Sequence, residues 1–361
     1  MLLACSNNSE GQTPAATPSA SPNVAATQAA DLRTHLDLLL SEQVMIVAKE
    51  TAAAVNHSDA YAGYTALLTT NSTELTALLG RAVGDTAAAQ LGLAWNSQNG
   101  YLVDYAIGVV THNETKARDA ITGLRNTFAP QFAQLVSDAT RLPLDPVTQL
   151  TTQQVLEDLA FIDDVGAGRY AVFYQHLHVA YAQTFRLGDA LGVQIAARFP
   201  DKFPGDPSAP AVDSRVSINQ LLQEHAYLAT MATDAVVAGR TAEKTAAAAA
   251  LSANADMLGT AFAGSFGNPA GTQLDTIWGA RNAALMGYAS GDAASREALT
   301  GSFVSDFAAL VHVDRAHVLA QVSATIKVID EQRAKSSLTV ATDDRAAATS
   351  MQPIADSAVE G

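Results

Sequence analysis

Two eleven-residue stretches constrain this chain more than any other feature. "WNSQNGYLVDY" (95–105) and "WGARNAALMGY" (278–288) hold its only two tryptophans. In both, Asn stands four places after the Trp, Leu seven, Tyr ten and Ala eleven. Positions 0, 4, 7 and 11 share one face of a helix. Trp95, Asn99, Leu102 and Ala106 therefore form one stripe, and Trp278, Asn282, Leu285 and Ala289 its twin. One helix stated twice, 183 residues apart, predicts two copies of one unit.

Other echoes extend the pattern. "LLLSEQVMIVAKETAAAV" (38–55) is repeated as "QLLQEHAYLATMATDAVV" (220–237), which places Glu42 opposite Glu224. "LLTTNSTELTALLGRAVGD" (67–85) meets "ALSANADMLGTAFAGSFGN" (250–268), "FAQLV" (132–136) meets "FAALV" (307–311), and "LGDAL" (187–191) meets "IADSA" (354–358). Gln154-Val155-Leu156 aligns with His317-Val318-Leu319, so the second copy lacks most of a Pro-containing connector. Apolar residues recur at helical spacing, with helices expected near 58–82, 85–110, 114–139, 147–165 and 168–198 after a first one from Asp31. Asp85 and Asn268 read as N-caps. "FPDKFPGDPSAPAVDS" (199–214), with four prolines, marks the strongest boundary. The chain is rich in Ala, the best helix former, and only 6% aromatic. The expected fold is all-α: two tandem antiparallel helical bundles at 31–198 and 214–361, joined by a Pro-rich linker at 199–213.

A formal charge of −15 without a Lys/Arg cluster argues against nucleic acid, which needs a basic face. The single cysteine, Cys5, excludes intramolecular disulfides and Cys-based zinc sites. "LLAC" before a Ser/Pro/Thr/Asn-rich stretch is similar to a bacterial lipobox, in which the cysteine takes the lipid. The charged and apolar regions of a signal peptide are missing, because only four residues precede Cys5. On this reading residues 1–30 are a lipobox remnant and a disordered tether, the membrane is contacted through the N-terminal lipid, and the protein works in the cell envelope.

Chemistry-bearing motifs are scarce. HExxH, P-loop, GxSxG and EF-hand patterns are absent. The nearest approach to a dimetal Glu-x-x-His is Asp314-x-x-His317, without a partner copy. His35, His57 and His112 fall near helix ends or turns and read as exposed or capping. His176 and His178 stand two apart and cannot face the same way on a helix. His225 follows Glu224 in the first helix of the second unit, and His312 and His317 flank the start of its fifth. Were those helices neighbours, His225 and His317 would meet across the core. With Glu224, His312 or Asp314 they would suit copper, zinc or iron, or a haem-associated bundle. Such a site requires the two imidazoles within about 5 Å, since ligand bonds of about 2 Å must converge. The competing expectation is a core histidine held by polar neighbours. Acidic pairs such as Asp163-Asp164 and Asp343-Asp344 are adjacent and read as solvated.

The repeat resembles a family of uncharacterised exported bacterial helical-bundle proteins. Its pattern has Glu-(x)-His in the first helix, a His in the third, His-Leu/Val in the fifth, and a His six residues before "(A/G)D" in the last, closed by "QFPxKF". "RFPDKF" (198–203) and "LGDAL" match the closing segments. The four histidine positions hold Gln43, Gln98, Gln154 and Gln183 in the first copy, and His225, Arg281, His317 and Ser350 in the second. Glutamine is a poor transition-metal ligand, so the resemblance implies a polar core network in the first copy. The function expected from the sequence is a non-enzymatic, lipid-anchored binding module for a protein or small molecule. The alternative is a metal- or haem-associated bundle built on His225 and His317.

Overall fold

The computed structural model describes residues 24–336 and 339–360; Cys5 and most of the expected tether lie outside them. Among the described residues the protein is all-α, without a strand. The first half contains α1 (Gln28–Val55), α2 (Tyr61–Val83), α3 (Asp85–Val110), α4 (Glu114–Gly123), α5 (Ala129–Thr140), α6 (Leu144–Gly166) and α7 (Tyr170–Arg198). The second contains α8 (Pro210–Val237), α9 (Thr241–Phe266), α10 (Asn268–Ala289), α11 (Ala293–Ala298), α12 (Val304–Val311), α13 (Arg315–Ala334), α14 (Val340–Thr349) and α15 (Gln352–Glu360). A wide π turn joins α4 to α5 (Leu124–Phe128) and another joins α11 to α12 (Leu299–Phe303). None of the described helices is long and apolar enough to cross a membrane.

Local chemistry sets the ends. Thr27 caps α1 by accepting from the Ala30 amide at 3.2 Å, so this helix starts three residues before Asp31. α8 starts on Pro210, inside the expected linker; proline is at home at N1, where its missing N–H is not needed. Two expected caps shift by one residue. Gly84 and Gly267, both near φ +90°, are the caps, and Asp85 and Asn268 begin the helices.

α1 and α8 run through the middle. Both are buried almost all round, charged residues included. α1 packs on α2, α3, α6, α7 and α8, and α8 on α9, α10, α13, α14 and α15. One apolar cluster draws residues from both halves, so their junction is core rather than a solvent gap. The Trp stripes sit where the sequence puts them. Trp95 packs against Phe128 and Phe132 at 6.5 and 5.5 Å between ring centroids, and Trp278 against Phe303 and Phe307 at 5.5 and 4.8 Å.

The halves are tied by a reciprocal pair of clamps. Arg33 of α1 donates to Asp189 (2.6 Å), Asp213 (2.6 Å) and the Pro207 carbonyl (2.7 Å). Arg215 of α8 donates to Asp356 (2.7 Å), Asp31 (2.6 Å) and the Ala25 carbonyl (2.9 Å). Arg33, Asp31 and Ala25 each lie 182 residues before Arg215, Asp213 and Pro207. Each half thus lends an aspartate and a carbonyl to the other half's arginine.

Backbone strain repeats too, with one difference. The turn after α1 has His57 at φ 51° where the turn after α8 has Gly239 at 69°; the turn after α3 has His112 at 54° where the turn after α10 has Gly291 at 101°. A side chain in the left-handed region costs about 1 kcal/mol that glycine avoids. His57→Gly and His112→Gly are expected to stabilise by about 0.5–1 kcal/mol each, additively because the sites are distant. Chemical-denaturation midpoints of both single variants and the pair check this.

Candidate functional site

The histidines proposed as ligands are not brought together. His225 is fully buried, whereas His312 and His317 are exposed. Both ring nitrogens of His225 are engaged: Nδ1 with Asn254 at 2.8 Å and with the Trp278 indole N–H at 3.1 Å, Nε2 with Asn282 at 3.0 Å. His312 ends α12 in a left-handed conformation, and Asp314 caps α13 by accepting from the Ala316 amide at 2.8 Å. Glu224 accepts from Asn254 at 3.0 Å and pairs with His178 at 2.7 Å. No cluster of three or more His, Cys, Asp or Glu suited to a metal occurs among the described residues. The reason is local. The buried face of α13 matches that of α6 at an offset of 167, which sets His317 opposite Leu150, off the core face, and Gln321 opposite Gln154, both of these 1% exposed.

Two further expectations fail on burial. Asp164 and Asp344 are 3% and 0% exposed. Asp164 takes Arg169 at 2.7 Å and His176 at 2.6 Å. Asp344 pairs with the Lys49 ammonium and accepts from Tyr64 (3.0 Å) and Thr230 (2.6 Å). His35 is half-buried two turns into α1, where Nε2 accepts from the Gln352 amide at 3.2 Å. Burial lowers its pKa, which suits a neutral ring accepting that bond.

The four glutamines line the first half's interior differently. Gln43 donates to Asn99 at 3.0 Å, and Asn99 donates to Ser72 at 2.9 Å. Gln98 reaches Asp158 at 3.4 Å, Gln154 has no partner on either side-chain atom, and Gln183 accepts from Arg186 at 3.0 Å. In the second half Arg281 replaces Gln98, while Gln321 stands at the place of Gln154 and Thr325 at that of Asp158, as the equivalent Tyr105–Asp163 and Tyr288–Asp330 bonds fix. The halves therefore differ in this layer, the first burying a carboxyl and the second a guanidinium. Burial pushes the Asp158 carboxyl up to about 8, so it is mostly protonated at pH 7. Burial pulls Arg281 down to about 9, which leaves it a cation at pH 7. Its guanidinium lies 5.0 Å from the Trp278 ring and 5.3 Å from Phe303. Such contacts contribute roughly 0.5–2 kcal/mol each, against a desolvation cost of several kcal/mol per ion.

A cleft of about 360 Å³ opens where the halves meet, between α1, α2, α8, α14 and α15. Leu38, Leu39, Leu78, Ala348 and Met351 make its apolar walls; His35, Asn219, Gln223, Gln352, Arg81 and Arg345 supply polar groups. Arg345 is held by Glu42 (3.0 and 2.9 Å) and Glu74 (2.9 and 2.6 Å), so its charge is answered. Glu42 also accepts from Asn71 (2.9 Å) and Tyr227 (3.0 Å). Asn219, 2% exposed, donates to Asp356 at 2.9 Å and the Arg215 carbonyl at 3.0 Å, while its Oδ1 has no partner.

The repeat explains the opening. Residues of α7 match those of α14 and α15 at an offset of 167, which pairs Tyr181 with Ala348, Phe185 with Gln352 and His178 with Arg345. At the equivalent place in the other half, buried Tyr181 donates to the Gln220 carbonyl (2.9 Å) and to Gln223 (2.8 Å), with Phe185 beside it. Two aromatic rings close that space. Alanine and glutamine leave it open here. A second hollow of about 440 Å³ lies further along α1 and α8, near Lys49, Asp234 and Arg240; its lining is more strongly charged. Sequence reasoning passed over Asn219, Ala348 and Gln352, although "LGDAL" against "IADSA" already carried the offset that sets Ala348 and Gln352 against Tyr181 and Phe185. No family model, curated protein or solved structure matches the chain.

Proposed function

We propose that the protein is a non-enzymatic binding module of the cell envelope, anchored through a lipid on Cys5 and built from two tandem antiparallel bundles. The junction cleft takes one small amphipathic molecule. The observation that carries this is the replacement of Tyr181 and Phe185 by Ala348 and Gln352, which opens a walled cavity at one junction and not at its equivalent. The ligand presents an apolar body to Leu38, Leu39, Leu78 and Met351. Its polar end, carrying a donor, faces the Asn219, Gln223 and Gln352 side chains on the wall. Apolar contact contributes about 25 cal/mol/Å² before the cost of association. The polar contacts therefore decide selectivity, since wall groups left unmet penalise ligands that lack a donor.

The test is NMR of methyl-labelled methionine during a screen of small amphipathic fragments. Met351 is expected to shift with donor-bearing fragments, while Met45, buried in the core, stays still. Ala348→Tyr is expected to abolish the shift at unchanged or higher stability. Its introduced hydroxyl is placed to reach the Leu38 carbonyl, as Tyr181 reaches that of Gln220. Fragments that move Met351 equally in wild type and in Ala348→Tyr would refute the assignment.

A further inference from the structure

The polar layers of the two halves differ in a way that leaves one group with no answer. Asp158 can discharge itself by taking a proton. Arg281 cannot, because a guanidinium keeps its proton at any physiological pH. It is 1% exposed. Of its three nitrogens only Nη2 has a partner, the Gln321 Oε1 at 3.3 Å; Nε and Nη1 have none. No carboxylate acts on it, burial being the sole influence on its ionisation. The polar groups around it are neutral: His225 is held by Asn254 and Asn282, and burial with the Arg281 charge keeps its ring unprotonated. The Trp278 and Phe303 rings cover part of the guanidinium and do not cancel its charge.

We propose that Arg281 is the centre of a buried site for a small monovalent anion of the size and charge of chloride, in the layer formed by α8, α10 and α13. The equivalent layer of the first half shows what is missing. There a carboxylate, Asp158, stands beside the residue at the Arg281 position, Gln98. The second half has gained the cation and has Thr325, which accepts from Gln321 at 2.9 Å, in place of the carboxylate, so the countercharge must come from outside the chain. A water molecule would satisfy the free N–H donors and leave the charge standing; an anion does both. Full burial excludes anions much larger than a halide, which makes the site discriminating. The inference is independent of the junction cleft, which lies on the other side of α8.

Two measurements test it on the full chain. Crystals grown or soaked in sodium bromide are expected to show an anomalous peak within hydrogen-bonding reach of Arg281 Nε or Nη1. In solution the thermal midpoint is expected to rise by about 2 °C or more per tenfold increase in chloride or bromide above the dissociation constant. Gluconate at the same ionic strength, being too large, should give no such rise. Arg281→Gln, which installs the first half's residue, is expected to remove the halide dependence. Should that variant fail to fold, the wild-type comparison of halide with gluconate and the bromide peak still decide. Water density at Arg281 in bromide crystals, or midpoints that follow ionic strength regardless of the anion, would overturn the proposal.

Discussion

Asp344→Leu is expected to destabilise the protein by about 3–5 kcal/mol, and Lys49→Met by a similar amount, while the double variant returns to within about 1 kcal/mol of wild type. The pair joins the halves: Lys49 lies on α1, Asp344 on α14, and both side chains are buried. Lys49 also donates to Thr230 at 2.7 Å and sits between the rings of Tyr64 and Tyr227 at 5.7 and 5.8 Å. Removing either charge strands the other in the core, which is the costly event. Removing both does not, and the chain itself supplies the replacement. The offsets that relate the halves put Met231 opposite Lys49 and Leu177 opposite Asp344, and both counterparts are buried apolar residues. A thermodynamic cycle on urea-unfolding energies measures the coupling. A double variant as unstable as the sum of the singles would mean that the surrounding hydroxyls, rather than the ion pair, set the cost.

The second large effect concerns pH. Asp158 is fully buried, accepts one long bond from Gln98, and has Oδ1 without a partner. Its folded-state pKa, about 8, stands above the ordinary value of 3.8 because burial penalises the charge. The protonated form is therefore the stabilising one. Its contribution is complete below about pH 4 and is lost as pH rises through about 8. Asp158→Asn keeps the shape without the charge. The variant is expected to match wild type near pH 4 and to exceed it by about 2–4 kcal/mol at pH 9. Asp37 follows the same logic: burial and the neighbouring Asp189 push its carboxyl well up, and Asn219 occupies its place in the other half. Denaturant unfolding of wild type and Asp158→Asn across this range reads the difference directly, and parallel curves would contradict it.

How far the sequence was legible depends on the range of the physics involved. Helix spans follow from local propensity and capping, and the expected segments agree with α2, α3, α6 and α7 within about three residues at each end. The Trp stripes were legible because a stripe is a property of one helix. The interior of α1 was not. Arg33, Asp37 and Lys49 are charged residues on what reads as an ordinary amphipathic helix. The partners of Arg33 and Lys49, namely Asp189, Asp213 and Asp344, come from α7, α8 and α14, more than 150 residues away, and the Asp37 carboxyl has no hydrogen-bond partner. The histidine pair failed for a related reason. In α13 the buried positions are Val318, Gln321, Val322 and Thr325, and His317 stands one residue before this face, where the helix has only just begun. The cleft was latent in the repeat, yet only the fold shows that Tyr181 and Phe185 fill a space that Ala348 and Gln352 leave open.

The most direct measurement of the central claim is native mass spectrometry of the protein gently isolated from the cells that make it, beside Ala348→Tyr prepared identically. A bound small molecule, at one copy per wild-type chain and absent from the variant, is the predicted result. Equal occupancy in both proteins would contradict the assignment of the cleft, as would wild-type protein that stays bare.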